Sequence, residues 1–239
     1  MDYLVHHAKT KLDSQVQSGY TARVATKARP QARRLTARGA ATRARIVDAA
    51  ASLVYERGFA GTSLDDVMAA TGTSKSQLYH YFADKDALIR EVIKAQLGRI
   101  FAAQQAAGLH EVSSWDGLQR WCDHWVTATR ATDGAGGCPL GSLVGELADQ
   151  SEPARLVLAQ CFAHWQAYLS EGLQAMRDKG ELAAQADPAE LALTLLTALQ
   201  GGLLMAQATR SARPLELALN MALQHTAAYR RRPQQARRC

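Results

Sequence analysis

The sequence is short of everything that would send it through or across a membrane. Residues 1–19 lack the continuous apolar core of a signal peptide, being interrupted by Asp2, His6, His7, Lys9, Lys11 and Asp13, so export is not expected and the cytoplasm is the expected compartment. No apolar run comes near the length of a bilayer span, so no membrane partner is expected. Cysteine is sparse: Cys122, Cys138, Cys161 and Cys239 have no framework spacing in a chain of 239 residues that can bury an ordinary core, and they read as reduced thiols. Internal repeats and strand patterning are missing too. The glycines of "GAGG", Gly134 to Gly137, follow no strand and make no phosphate loop, and neither a Ser/His/Asp arrangement nor a metal-hydrolase motif is present. An enzyme is therefore not expected, and no cofactor is called for. Cys122, His124, Cys161 and His164 are suitable metal-ligand types, but Cys122 and His124 at i, i+2 on a helix point to different faces, so no metal site is expected.

What is present is helical and unevenly charged. Hydrophobic residues make up 47% of the chain, enough for one or two domains, and the net charge is +6. Lys27, Arg29, Arg33, Arg34, Arg38, Arg43 and Arg45 crowd toward the first periodic segment, and Arg230, Arg231, Arg232, Arg237 and Arg238 close the sequence. That distribution suits a polyanionic partner, and solvated tails give the same count. Residues 1–40 lack apolar periodicity and read as a basic, disordered arm; 230–239 read as a basic tail.

From Thr42 the pattern turns helical, with Ile46, Ala50, Leu53 and Val54 on one face and a stop at Gly58. Ser63 and Asp66 form a capping box for a second helix that ends at Gly72; Ser74 and Gln77 form another, opening a short third helix through Phe82. Asp84 caps a fourth that runs to about Gly108. Two short helices joined by a tight Gly-containing turn behind a longer first helix describe a helix-turn-helix. In the third helix Leu78, Tyr81 and Phe82 turn inward, which leaves Lys75, Ser76, Tyr79 and His80 together on the outer face. A cation, a hydroxyl, a phenol and an imidazole reach phosphates and base edges when a helix enters the major groove.

The stretch "RARIVDAAASLVYERGFAGTSLDDVMAATGTSKSQLYHYFADKDALIREVI" resembles the DNA-binding domain of the TetR family of bacterial transcriptional regulators, over Arg43 to about Ile100. The resemblance implies an all-α fold of about nine helices. Residues 41–100 would be the helix-turn-helix domain, linked through helix 4 to a helical effector-binding and dimerisation domain at 101–229. It implies phosphate contacts from Thr62 or Ser63, Tyr79 and Lys85, base-edge or neighbouring contacts from Thr73, Lys75, Ser76, Gln77 and His80, and the recognition helix starting at Ser74.

The second half is less explicit. Trp115, Trp121 and Trp125 mark a helix ending near "TDGAGG"; a small-residue loop then enters "CPLGSLVGELADQ", which is similar to a segment of some TetR-family C-terminal domains. A long helix follows Ser151, "DPAE" at Asp187 to Glu190 starts another, and Pro214 opens the last. The helix from Pro188 to about Ala208 is apolar almost all round, and its residues leave core and interface equally open; the resemblance favours a homodimer through 188–229 on a palindromic operator in double-stranded DNA. For a small-molecule effector, Trp121, Trp125, Trp165 and Tyr168 are the candidate lining, with His124, Cys161 and His164 as polar groups; core tryptophans have the same spacing. Cys138, after two glycines at a helix start, is a candidate thiol sensor of electrophiles or oxidants, on the expectation that the positive helix end lowers its pKa; a small packed residue is the plainer alternative. The expected function is a ligand-responsive dimeric repressor, with a Cys138 sensor as one alternative and a nonspecific architectural DNA-binding protein as another.

Overall fold

The computed structural model describes residues 35–109 and 111–231. Among them are nine helices and no strand: α1 (Ala37–Arg57), α2 (Leu64–Thr71), α3 (Lys75–Tyr81), α4 (Lys85–Ala106), α5 (Trp115–Ala131), α6 (Pro139–Leu147), α7 (Glu152–Asp178), α8 (Pro188–Thr209) and α9 (Arg213–Ala227). Most starts are written in short polar side chains. The hydroxyls of Ser63, Ser74, Ser114 and Ser151 and the carboxylates of Asp84 and Asp187 each accept a backbone N–H in the first turn that follows.

The first helices close around a small core. Ile46, Ala50 and Val54 of α1, Val67 of α2, Leu78 and Phe82 at the end of α3, and Leu88 and Val92 of α4 are all buried. α4 then runs out of this module and packs against α6 and α7. In the second half α8 lies between α7 and α9, and α5 packs against α9. Leu191, Leu195, Leu199 and Leu203 of α8 are buried against Leu169, Leu173 and Met176 of α7 and Leu215 and Leu219 of α9 within one continuous core.

Two sequence expectations are corrected here. α1 begins at Ala37, five residues before Thr42, because its first turn is exposed and carries no apolar signal; Thr36 Oγ1 accepts from Gly39 N at 3.2 Å instead. One apolar run does reach spanning length: α8 has 22 residues and holds an 18-residue stretch with a mean hydropathy of 1.5. Leu191, Leu195, Leu196, Leu199 and Leu203 are buried as in a core helix, each stabilising the fold by about 1.5–3 kcal/mol, while Leu193, Leu204 and Met205 are exposed. The first two residues of the expected basic tail make contacts with the helical body. Arg230 pairs with Leu182 in an isolated antiparallel bridge and holds its guanidinium 5.0 Å from the Trp115 ring centroid, and Arg231 N donates to Glu181 O at 3.0 Å. The basic residues Lys27, Arg29, Arg33, Arg34, Arg232, Arg237 and Arg238, with Cys239, lie outside the described residues.

Candidate functional site

The polar face of α3 is held out by its neighbours' packing. Ser63 accepts from Asp66 N at 3.1 Å while the Asp66 carboxylate accepts from Ser63 N at 2.9 Å; Ser74 and Gln77 repeat the exchange at 3.2 and 3.0 Å. The Ser63 hydroxyl also donates to Asp66, and these bonds hold that carboxyl below its ordinary value. Between the boxes Gly72 takes φ +64°, the left-handed conformation that ends α2 and swings the chain into α3. Leu78 and Phe82 are buried to 0% and 2% exposure, and with them inside, Lys75, Ser76, Tyr79 and His80 all face solvent.

Four residues expected at the DNA also bond within the chain. Thr62 is 4% exposed and donates its hydroxyl to Gly58 O at 2.9 Å. Thr73 is 5% exposed, with its hydroxyl 2.5 Å from that of Thr71. A threonine beside a tight turn meets unpaired backbone and side-chain groups of its own chain first. Gln77 commits its carbonyl oxygen to the cap and keeps its nitrogen. Lys85 donates to Phe59 O at 2.8 Å and stands 3.9 Å from the centre of the Phe59 ring, so its ammonium ties α4 to the turn after α1. Arg43 is similarly occupied, pairing with Glu91 at 2.7 Å and lying over the Phe82 ring. Burial raises the Glu91 carboxyl, but hydrogen bonds from Arg43 and Lys94 outweigh it and leave the pKa below its ordinary value.

In the second half the aromatic residues expected at an effector pack on one another, with the Nε1 groups of Trp125 and Trp165 buried and without a partner. Trp121 and Trp165 are fully buried, with ring centroids 6.4 Å from Trp121 to Trp125 and 5.6 Å from Trp125 to Trp165. Trp121 Nε1 donates to the buried Gln104 Oε1 at 2.8 Å, and the Tyr168 hydroxyl donates to Leu109 O. His164 lies edge-on to Phe101, burial lowers the His124 pKa, and burial pushes the Cys161 thiol up. None of these seven residues lines the large cavity of this half. Tryptophans recurring at helical spacing on α5 and α7 fill the seam between those helices, which is where an amphipathic pair must place its largest side chains.

The cavity lies one layer away, between α6, α8 and Phe162 of α7, with a volume of about 630 Å³. Cys138, Gly141, Ser142, Val144 and Gly145 supply one wall, and Leu193, Leu196, Thr197, Gln200, Gly201, Leu204 and Gln207 another. Cys138 was expected to have a lowered pKa; it is raised. Burial is the largest influence, and it exceeds the pull of the Gly141 and Leu140 N–H groups and of the Gln200 amide. Sequence patterning also missed Glu146. It is a half-buried carboxylate of α6 that accepts from Phe59 N at 2.7 Å and from Ala60 N at 3.4 Å, across 87 and 86 residues. No local rule assigns a partner to a lone Glu in a short apolar helix; "GELAD" carried no signal of the contact.

The polar α3 face and the capped turn coincide with a family match at residues 46–92, described as bacterial regulatory proteins, tetR family. A second match, Tetracyclin repressor-like, C-terminal domain, spans 115–222, from the first residue of α5 into α9. The chain belongs to the TetR family. Among relatives, it is 32% identical over 178 residues to the uncharacterized HTH-type transcriptional regulator in the lacX 3'region of Lactococcus lactis subsp. lactis, covering 73% of this chain and 88% of that protein. It is 27% identical over 191 residues to the HTH-type transcriptional repressor NemR of Escherichia coli, covering 74% and 90%. A TetR transcriptional regulator from Chloroflexus aurantiacus superposes with a TM-score of 0.66 at 26% identity, over 80% of this chain and 96% of that one. This TetR-family chain is thus a DNA-binding transcriptional regulator and not an enzyme. Its helix-turn-helix is α2–α3.

Proposed function

We propose that this regulator is a cytoplasmic dimeric repressor that holds a palindromic operator through α3 and lets go when a small molecule fills the cavity against α6. Ser63, Ser74, Lys75, Ser76, Gln77 Nε2, Tyr79 and His80 form the DNA contact set; Thr62, Thr73 and Lys85 hold it in place. The observation that carries the reading is the double attachment of α6: it walls the cavity and, through Glu146, grips the turn after α1. Phe59 sits at the centre of that grip, its N–H on Glu146 and its carbonyl on Lys85 at the start of α4. A molecule that fits better when α6 is displaced therefore pulls on the module that carries α3. Coupling of about 1–3 kcal/mol lowers operator affinity some 5- to 150-fold, and DNA weakens the ligand by the same factor.

The test begins with selection of bound DNA from a random library; one enriched palindrome supports specific control, and no enrichment supports an architectural protein. Compounds that release the wild-type protein from that site are then applied to Glu146→Ala and Glu146→Gln. Both variants should keep apo operator affinity within about threefold while release shrinks toward none. Release from Glu146→Ala at wild-type concentrations would remove α6 from the mechanism.

A second reading has one observation in its favour: Cys138 is among the residues that line the cavity. In that case the thiol adds across the activated double bond of an electrophile held in the cavity: sulfur bonds to the electrophilic carbon, the C=C π bond and the S–H bond break, and the proton passes to the neighbouring carbon. If Cys138→Ser is released as readily as wild type by every electrophile that acts, the reading is dead.

A further inference from the structure

Resting on the reading of the cavity as the effector site, we infer that the effector is an uncharged, mainly apolar molecule with a carbonyl-type oxygen, and that Gln200 selects it. None of the thirteen lining residues carries a charge. A carboxylate, phosphate or ammonium bound there would give up its water without a counter-charge, which is the costliest form of burial. Phe162, Leu196 and Val144 offer apolar surface, so the bulk of the ligand is hydrocarbon-like.

Among the buried side-chain polar atoms of this lining, one lacks a partner. Gln200 Nε2 is buried and has no hydrogen-bond partner. Its amide oxygen lies against α6, 3.1 Å from where a β-carbon on Gly141 would stand, so the missing side chain at 141 is what lets the amide lodge there. The nitrogen lies near enough to Cys138 to draw its pKa down, but a neutral thiol is only a weak acceptor and leaves the donor short of a full hydrogen bond; the Ser142 hydroxyl donates to Cys138 O at 3.1 Å. A buried N–H without an acceptor is an open demand, and a ligand oxygen that meets it gains a bond the empty site lacks. An apolar ligand of the same shape leaves the demand unmet.

The probes are 2-acetylnaphthalene, its acceptor-free analogue 2-ethylnaphthalene and the anion 2-naphthoate, titrated by calorimetry against the full chain. The ketone should bind about tenfold more tightly than the hydrocarbon, as expected for one buried hydrogen bond, and the anion should bind most weakly. Gln200→Leu should bring the ketone-to-hydrocarbon ratio to near one while leaving hydrocarbon affinity in place. Gly141→Ala, which displaces the amide without removing it, should narrow the same ratio. Equal affinities of ketone and hydrocarbon in the wild type, or a ratio that survives Gln200→Leu, would overturn the role of Gln200. Tightest binding by the naphthoate would overturn the uncharged class. Failure of all three to bind would overturn the effector-site reading itself.

Discussion

Lys75 and Lys85 stand ten residues apart, carry the same charge and were both expected at the DNA, Lys75 at or near base edges and Lys85 at a phosphate, yet their surroundings differ. Lys75 opens α3 with its side chain in solvent, whereas Lys85 spends its ammonium on the Phe59 carbonyl and ring. Lys75→Ala should weaken operator binding and, where it removes a phosphate contact, flatten the log–log salt dependence by roughly 0.9. Its urea midpoint should not move. Lys85→Met should lower that midpoint, and its binding loss should recover in part at lower temperature as the turn re-forms. Burial separates the cysteines in the same way. Cys122 has its thiol pushed up to about 12, by burial first and by Asp123 second, from an ordinary value near 9.0. Below pH 9 both folded and unfolded chains keep the proton; between pH 9 and 12 only the folded chain does, so this thiol lowers stability as pH rises, by up to about 1.4 kcal/mol per unit. Urea unfolding of wild type and Cys122→Ala at pH 8 and pH 10 measures it. The stability gap between them should shrink by about 1 kcal/mol at the higher pH, and an unchanged gap would mean the thiol titrates normally.

At the scale of elements, α8 shows how two adjacent glycines take opposite parts. Gly202 faces α9, where an added β-carbon would stand 2.7 Å from Leu215 Cα, so its bareness sets the α8–α9 spacing. Gly201 has nothing within 4 Å of that position. Gly201→Ala should therefore raise the stability of the monomer by about 1 kcal/mol, the usual gain from removing a mid-helix glycine. Gly202→Ala should lower it by about 1–3 kcal/mol, because two backbones must separate. Thermal unfolding at low concentration checks both signs. The capping boxes, the Gly72 turn and the "DPAE" start were legible because each is a rule about neighbours within a few residues. The exposed first turn of α1 was not, since hydrophobic periodicity reports only on turns that bury something.

For the molecule as a whole, the exposed apolar side chains matter most. Leu193, Leu204 and Met205 of α8 and Leu217 and Met221 of α9 are each at least half exposed on the two helices for which a dimer was expected. A second copy seated there would cover them and close the rim of the cavity at Leu193 and Leu204. Met221→Glu should shift the sedimentation coefficient from dimer to monomer and cost operator affinity at least tenfold, since one protomer carries one half-site. A Met221→Glu protein that still sediments as a dimer would place the interface elsewhere.

The sequence by itself determined the helices, their caps, the order Lys75, Ser76, Tyr79, His80 on the outer face of α3, and the family. These are local patterns, and local patterns need only the periodicities of the helix and the hydrogen-bonding habits of Ser, Asp and Gly. Tertiary structure alone decided which polar groups were already spoken for and where empty space remained. Thr62, Thr73 and Lys85 found partners inside the chain, and Glu146 found Phe59 at a distance of 87 residues. The tryptophans closed on one another, and the cavity opened instead beside the glycines of α6 and Gln200. Volume left unfilled and donors left unpaired are sums over many neighbours from distant parts of the chain, and no stretch of sequence holds such a sum.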